Sequence, residues 1–230
     1  MKKDIYKIDN SIERLKRDKH TLFLDQKEFL EVKSKLHKNE YQIYYPYKTS
    51  EKVILYKSDI PKLSLYKINS YETLKHQEVL GSLLGLNISS SYLGDIIKYK
   101  DNFYFYILSD IDNIINNEFK YVGNKKIEIE RIDINDLKDY EREYEEIEFI
   151  VSSNRVDNVI SRLINTNRDN VVDRIKNKEV ILNYNILTKN SYFLKDNDIF
   201  SIRKYGKYKY VGIINTTKKD KIVVKVLKYI

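Results

Sequence analysis

Apolar residues recur along the first forty positions at spacings of three and four. Ile5, Ile8, Ile12 and Leu15 form one such series, and Leu24, Phe29, Val32 and Leu36 form another around Asp25, a natural N-cap. That period belongs to an amphipathic helix, so two helices are predicted. The pattern then changes. Residues 41–45 and 52–57 are rich in Tyr, Ile and Val and read as extended, and Pro61 closes the segment. A small α/β domain is expected over residues 1–62.

A second set of elements follows over residues 63–148. Residues 62–68 alternate as a strand, and Leu74, Val79, Leu80, Leu83 and Leu84 predict a helix within 71–86. Gly94-Asp95 introduces two strands at 96–99 and 103–108, joined by the turn Lys100-Asp101-Asn102. Asp110 is expected to cap a helix carrying Ile111, Ile114, Ile115 and Phe119, and residues 125–132 alternate as a half-buried strand. Strand–helix–strand–strand–helix–strand is the ferredoxin-like order shared with RNA-recognition folds, although an aromatic-Gly-aromatic stacking motif is missing. Residues 133–148 hold eight acids and two bases. They read as a solvated acidic linker whose last residues enter a strand, and one able to cover a basic neighbour.

From residue 149 the pattern predicts two short helices and a small sheet. Val159, Ile160 and Leu163 face inward from a helix begun by Arg155 and Asp157, with Ser161 and Arg162 on its solvated side. Asn167 or Thr166 caps a second helix, 168–176, whose inner face is Val171, Val172 and Ile175. Strands follow at 180–182, 199–203, 208–213 and 221–228. The fold class is therefore α+β, with a small α/β domain (1–62), a ferredoxin-like domain with its linker (63–148) and a domain of two helices on a small sheet (149–230).

Charge changes this picture. The chain has net charge +8, but residues 152–230 hold 17 Lys and Arg against 7 Asp and Glu, while residues 1–151 hold 25 against 27. A basic module attached to a near-neutral remainder points to a polyanion. Guanidinium groups spaced along short helices suit phosphates, because each donates to two oxygens at once. The candidate RNA-binding residues are Arg155, Asn158, Arg162, Asn167, Arg168, Lys176, Lys178, Lys189, Arg203, Lys204 and Lys207. Asp157, beside Arg155 at a helix start, reads as structural. Cysteine is absent, which excludes disulfides and thiolate metal sites. No apolar run approaches the roughly 20 residues that span a bilayer, and the basic N-terminus leads into no apolar stretch of a signal peptide. His76 has no nucleophile or acid that the sequence pairs with it, and Gly81, Gly85 and Gly94 do not have the spacing of a phosphate loop. No catalytic residue, metal or cofactor is expected, and neither is a membrane; a cytoplasmic monomer is.

Arg155-Val156-Asp157, Asn167-Arg168, Ile175, Val180, Asn183 and Asp198-Ile199-Phe200-Ser201-Ile202-Arg203 resemble, in order, the S-four RNA-binding domain named after a small-subunit ribosomal protein. That family usually has Gly where this chain has Lys178, Tyr184 and Asn197, and Ser in place of Asn167. Upstream, residues 76–86, HQEVLGSLLGL, and Leu93-Gly94-Asp95-Ile96 are similar to the YlmH family of bacterial proteins. Where that family often has a basic residue after the glycine-rich helix, this chain has Ser89-Ser90-Ser91. The resemblance implies two α/β domains and a C-terminal S-four domain, RNA partners (rRNA and tRNA) on the large ribosomal subunit, and a non-catalytic role in ribosome-associated quality control. Alternatives are an accessory of an RNA-modifying enzyme of the pseudouridine-synthase kind, and a cell-division adaptor.

Overall fold

The structure is a computed structural model that describes residues 2–230, with side chains from Lys7 onward. Ile5 of the first apolar series therefore lies outside the described side chains. The chain forms two compact units, residues 1–141 and 142–230. Among the described residues no helix is long and apolar enough to cross a membrane.

The first unit opens with α1 (Lys2–Arg17) and α2 (Gln26–Ser34). Asp25 caps α2 as predicted: its carboxylate accepts from the Glu28 amide at 2.8 Å, and the Glu28 side chain accepts from the Asp25 amide at 3.1 Å. The antiparallel pair β1 (Gln42–Tyr44) and β2 (Ile54–Tyr56) packs beneath these helices. Leu15, Phe29, Val32, Val53 and Leu55 form the local core.

The next elements are β3 (Leu63–Asn69), α3 (His76–Leu84), β4 (Leu93–Tyr99), β5 (Asn102–Leu108), α4 (Asp112–Glu118), the short β6 (Tyr121–Val122) and β7 (Lys125–Lys126), and β8 (Glu128–Ile132). β4, β5, β3 and β8 lie side by side in that order, every pair antiparallel. This is the ferredoxin-like arrangement expected from the element order. Boundaries moved where local chemistry competes. Lys75 is the N-cap of α3, so the helix starts five residues later than the widest span allowed by the leucines. Gly94 and Asp95 lie inside β4, and Asp110 lies in a 3-10 turn (Ser109–Ile111) whose successor α4 has Ile111 as cap.

Both faces of this sheet are buried. Tyr66, Ile68, Phe103, Phe105 and Ile107 meet Val79, Leu83, Ile115 and Phe119 of the helices. Leu65, Tyr104, Tyr106 and Leu108 meet Phe23, Tyr47 and Ile54 from the first sixty residues, and Leu137 from the acidic segment. Tyr47 and Tyr106 stack at 5.9 Å, and Tyr140 meets Tyr47 edge-on at 5.5 Å. Buried Asp95 ties the segments further, accepting from Tyr47 Oη at 2.7 Å and from the Glu51 amide at 2.7 Å. Residues 1–62 and the ferredoxin-like elements thus share one core. Residues 133–141 are packed on it too, in contrast to the expected solvated linker, because Leu137 and Tyr140 give that segment an apolar side.

The second unit holds β9 (Tyr144–Val151), α5 (Val156–Leu163), α6 (Arg168–Lys176), β10 (Val180–Leu182), β11 (Asn185–Ile186), β12 (Ile199–Ile202), β13 (Gly206–Thr216) and β14 (Ile222–Tyr229). One antiparallel sheet runs β11-β10-β12-β13-β14-β9. Its core faces α5 and α6: Val156, Val159, Ile160, Val171 and Ile175 pack on Val180, Leu182, Phe200, Ile202, Tyr208, Tyr210, Val224 and Val226. The acids expected to end the linker belong to β9, where Glu146 and Glu145 accept from Lys225 and Lys228 of β14 at 2.6 and 2.8 Å. Ser161, placed by periodicity on the solvated side of α5, is buried: its hydroxyl bonds back to the Asn158 carbonyl at 2.9 Å.

Candidate nucleic-acid interface

Two of the predicted arginines, Arg155 and Arg168, meet on one buried acid. Asp157 stands in the first turn of α5, where a carboxylate meets the positive end of the helix dipole. It accepts from Arg155 Nη2 at 2.8 Å and Nε at 3.2 Å, and from Arg168 Nη2 at 2.8 Å. Burial alone would raise the Asp157 carboxyl, but hydrogen bonds from Arg155 and Arg168 outweigh it and hold the group below the usual aspartate range. The starts of α5 and α6 are thereby joined by a triad carrying one net positive charge. Side chains of Arg155 and Arg168 stay 32% and 50% exposed, so donors not used on Asp157 face solvent.

Asn158 and Asn167 are spent locally. The Asn158 amide donates to Ser152 Oγ at 2.9 Å and to the Ser153 carbonyl at 3.0 Å, fixing the loop into α5. Asn167 caps α6 by accepting from the Asn170 amide at 2.8 Å. Arg162, by contrast, is exposed on α5 and no contact within the described chain occupies its guanidinium. It lines a cavity of about 300 Å³ with Ser152, Asn158, Ser161, Thr166 and Lys221. Two cations among hydroxyl and amide groups make this depression suited to an anion. Lys221 was not among the residues singled out from sequence, although the run Lys218-Lys219-Asp220-Lys221 carried the signal of a basic turn.

A second group forms where α6 ends. Lys178 leaves the helix with φ +60°, and the Arg203 amide donates to the Glu179 carbonyl at 2.9 Å, so Lys178, Arg203 and Lys204 lie on neighbouring turns. Arg174 bridges them internally, bonding Glu179 at 2.7 Å with its guanidinium 5.0 Å from the Tyr205 ring. Lys176 makes a long exposed pair with Asp173 at 3.4 Å, of the kind worth about 0–1 kcal/mol. Lys189 is exposed in the loop before β12, a loop that pairs through Tyr192 and Phe193 with Val156 and Arg155. Lys207 lies between the rings of Tyr184 and Tyr229, at 5.3 and 4.7 Å.

Three of the departures from the S-four pattern fall on turns. Lys178, Asn183, Tyr184 and Asn197 all have φ between +45° and +70°, so three positions where glycine is usual keep the left-handed backbone without it. Asn183 secures its turn by donating to Asp198 at 2.7 Å and accepting from the Ile199 amide at 2.9 Å.

Comparison with known proteins bears out the resemblance to the YlmH family. Residues 60–136 match the family model described as "Putative RNA-binding domain in YlmH". Over 153 residues the chain is 26% identical to "Ribosome-associated protein quality control protein P2" of Bacillus subtilis (strain 168), an alignment covering 66% of this chain. The chain spans 60% of that protein's length. A solved structure described as "Cell division protein ylmH from Streptococcus pneumoniae" aligns with a TM-score of 0.49 at 17% identity, covering 60% of this chain and 94% of that one. The matched RNA-binding model falls on the ferredoxin-like elements. Those residues hold 9 Lys and Arg against 11 Asp and Glu, which is why charge drew attention to the C-terminal unit instead.

Proposed function

We propose that this chain, a relative of the YlmH proteins, binds structured RNA and works without catalysis as a ribosome-associated quality-control factor. Its RNA partners are rRNA and tRNA of the large ribosomal subunit. The C-terminal unit is an S-four-type domain whose helix starts grip phosphates, and the ferredoxin-like domain adds a second contact. The observation that carries this reading is the pair of guanidinium groups held on buried Asp157 at adjacent helix starts, inside the only strongly basic part of the sequence. A rigid, basic, curved surface is what backbone recognition of folded RNA requires. The match of residues 60–136 to an RNA-binding family model and the name of the Bacillus relative support the same reading.

Sedimentation of a lysate through a low-salt gradient tests it. Co-migration with large subunits is expected, and its absence at low salt would sink the ribosomal assignment. Gel-shift titration against salt tests the contact surface: the log–log slope should fall by about 0.9 for each phosphate contact removed, on the scale of duplex DNA.

A further inference from the structure

The sheet of the second unit has a face that carries no helix of its own unit, and one row across that face is unusual. Register places Ile186 opposite Ile181, Ile181 opposite Ser201, and Ser201 opposite Lys207. One step beyond the Tyr208–Lys228 pair the row continues to Tyr229, which stands opposite Tyr144. The Tyr229 ring meets Tyr144 edge-on at 5.1 Å, with Lys207 Nζ 4.7 Å from its centre and the Arg142 guanidinium 5.6 Å away. Tyr184 adds a third ring from outside the row, 5.3 Å from the same ammonium.

Tyr184 reaches that place at a cost. It is the second residue of the two-residue turn joining β10 to β11, and both turn residues have positive φ, +45° and +65°. Such a turn takes Asn readily at its first position and Gly at its second. A ring-bearing residue with φ +65° is a backbone outlier, and outliers of this kind collect where a side chain is needed at a fixed point. Here the point is above Lys207.

We propose that Tyr184, Tyr229 and Tyr144, with Lys207 and Arg142, form a stacking site for an unpaired RNA nucleotide. Aromatic rings interleaved with cations on a sheet face bind single strands through base stacking and phosphate attraction together. For a base to lie over these rings, the Lys207 ammonium moves from them to the phosphate of the same nucleotide. Lys209 lies on the same face one pair further along β13, opposite Leu227, and supplies a further cation for the backbone. Bases inside a duplex are already stacked, so only a loop, bulge or single strand can use this site. The inference rests on the RNA-binding reading above and gives it a ligand class that the arginine-bearing helix starts do not require.

The full chain is titrated with a short mixed-sequence single-stranded RNA and with a blunt duplex RNA. Tyr184→Gly and Tyr229→Ala are expected to weaken the single strand about fivefold or more, the lower end of a lost base–aromatic stack, with the duplex within about twofold. Tyr184→Phe should retain parental affinity. Glycine suits the turn, so Tyr184→Gly should melt no lower than the parent, separating loss of the ring from loss of fold. Unchanged single-strand affinity in both variants, equal losses on both probes, or a parent that binds only the duplex would each overturn the stacking site. A parent that binds neither RNA would instead remove the RNA-binding reading and this site with it.

Discussion

The two sheets of this protein are finished differently. The four-stranded sheet of the first unit is buried on both faces, by α3 and α4 on one side and by Phe23, Tyr47, Ile54 and Leu137 on the other. The six-stranded sheet of the second unit builds one core only, and its other face keeps Lys207, Lys209, Lys225, Tyr229 and a 41%-exposed Ile181. The ferredoxin-like elements match an RNA-binding family model, yet Tyr104 and Tyr106 of their sheet are buried against protein rings, and the exposed Tyr71 and Tyr121 lie outside that sheet. A contact with RNA there must use edges, loops or helices. The C-terminal sheet can offer a face as well as its helices.

Substitutions on the two sheets sharpen that contrast. Phe105→Ala, at a fully buried position of the doubly covered sheet, should cost about 4 kcal/mol in urea unfolding of the first unit. Leu227→Ala, on the helix-free face of the second sheet, should cost well under half as much; equal losses would show that face to be as closed as the other. Asp157→Asn should cost about 2 kcal/mol through the weakened bonds to Arg155 and Arg168. Because the native carboxyl lies below its ordinary value, the unfolded chain binds the proton more readily. The stabilisation is therefore complete above the ordinary aspartate range near pH 4 and is lost as pH falls through and below it. Melting curves of Asp157→Asn should show that acid sensitivity reduced.

Smaller effects follow. Arg162→Ala with Lys221→Ala should leave melting unchanged, because among the described residues neither cation is tied to a carboxylate, while lowering the salt slope of RNA binding by up to about 1.8. Arg155→Ala with Arg168→Ala should lower both slope and stability, which distinguishes tied from untied arginines. Tyr106→Phe should gain about 1 kcal/mol, since the buried Tyr106 hydroxyl has no hydrogen-bond partner among the described residues.

Local patterns were legible in the sequence wherever one residue type dictates one geometry. Asp25 and Asn167 appear as caps, Lys100-Asp101 as a turn with positive φ at both residues, and strand alternation gave the ferredoxin-like order. Long-range burial was not legible. Nothing near Gly94 says that a Cβ there would lie 2.8 Å from that of Tyr106 and 2.9 Å from the Phe23 ring, yet this close approach is why β4 runs through a glycine. The packing of Leu137 and Tyr140 on the sheet is hidden in the same way, because the surrounding acids dominate that stretch. In the candidate interface, Arg155 and Arg168 were found by residue type and spacing. That they share a single carboxylate depended on two helix starts twelve residues apart meeting in space.

The shared carboxylate has a consequence for the timing of binding. A free arginine side chain samples many rotamers, and fixing it on a ligand costs about 0.5–1.5 kcal/mol. Arg155 and Arg168 have already surrendered much of that freedom to Asp157 during folding. A phosphate arriving at this corner meets donors set in place beforehand, so little of the contact's energy is spent on arresting motion and more is left to lengthen the residence time of the complex.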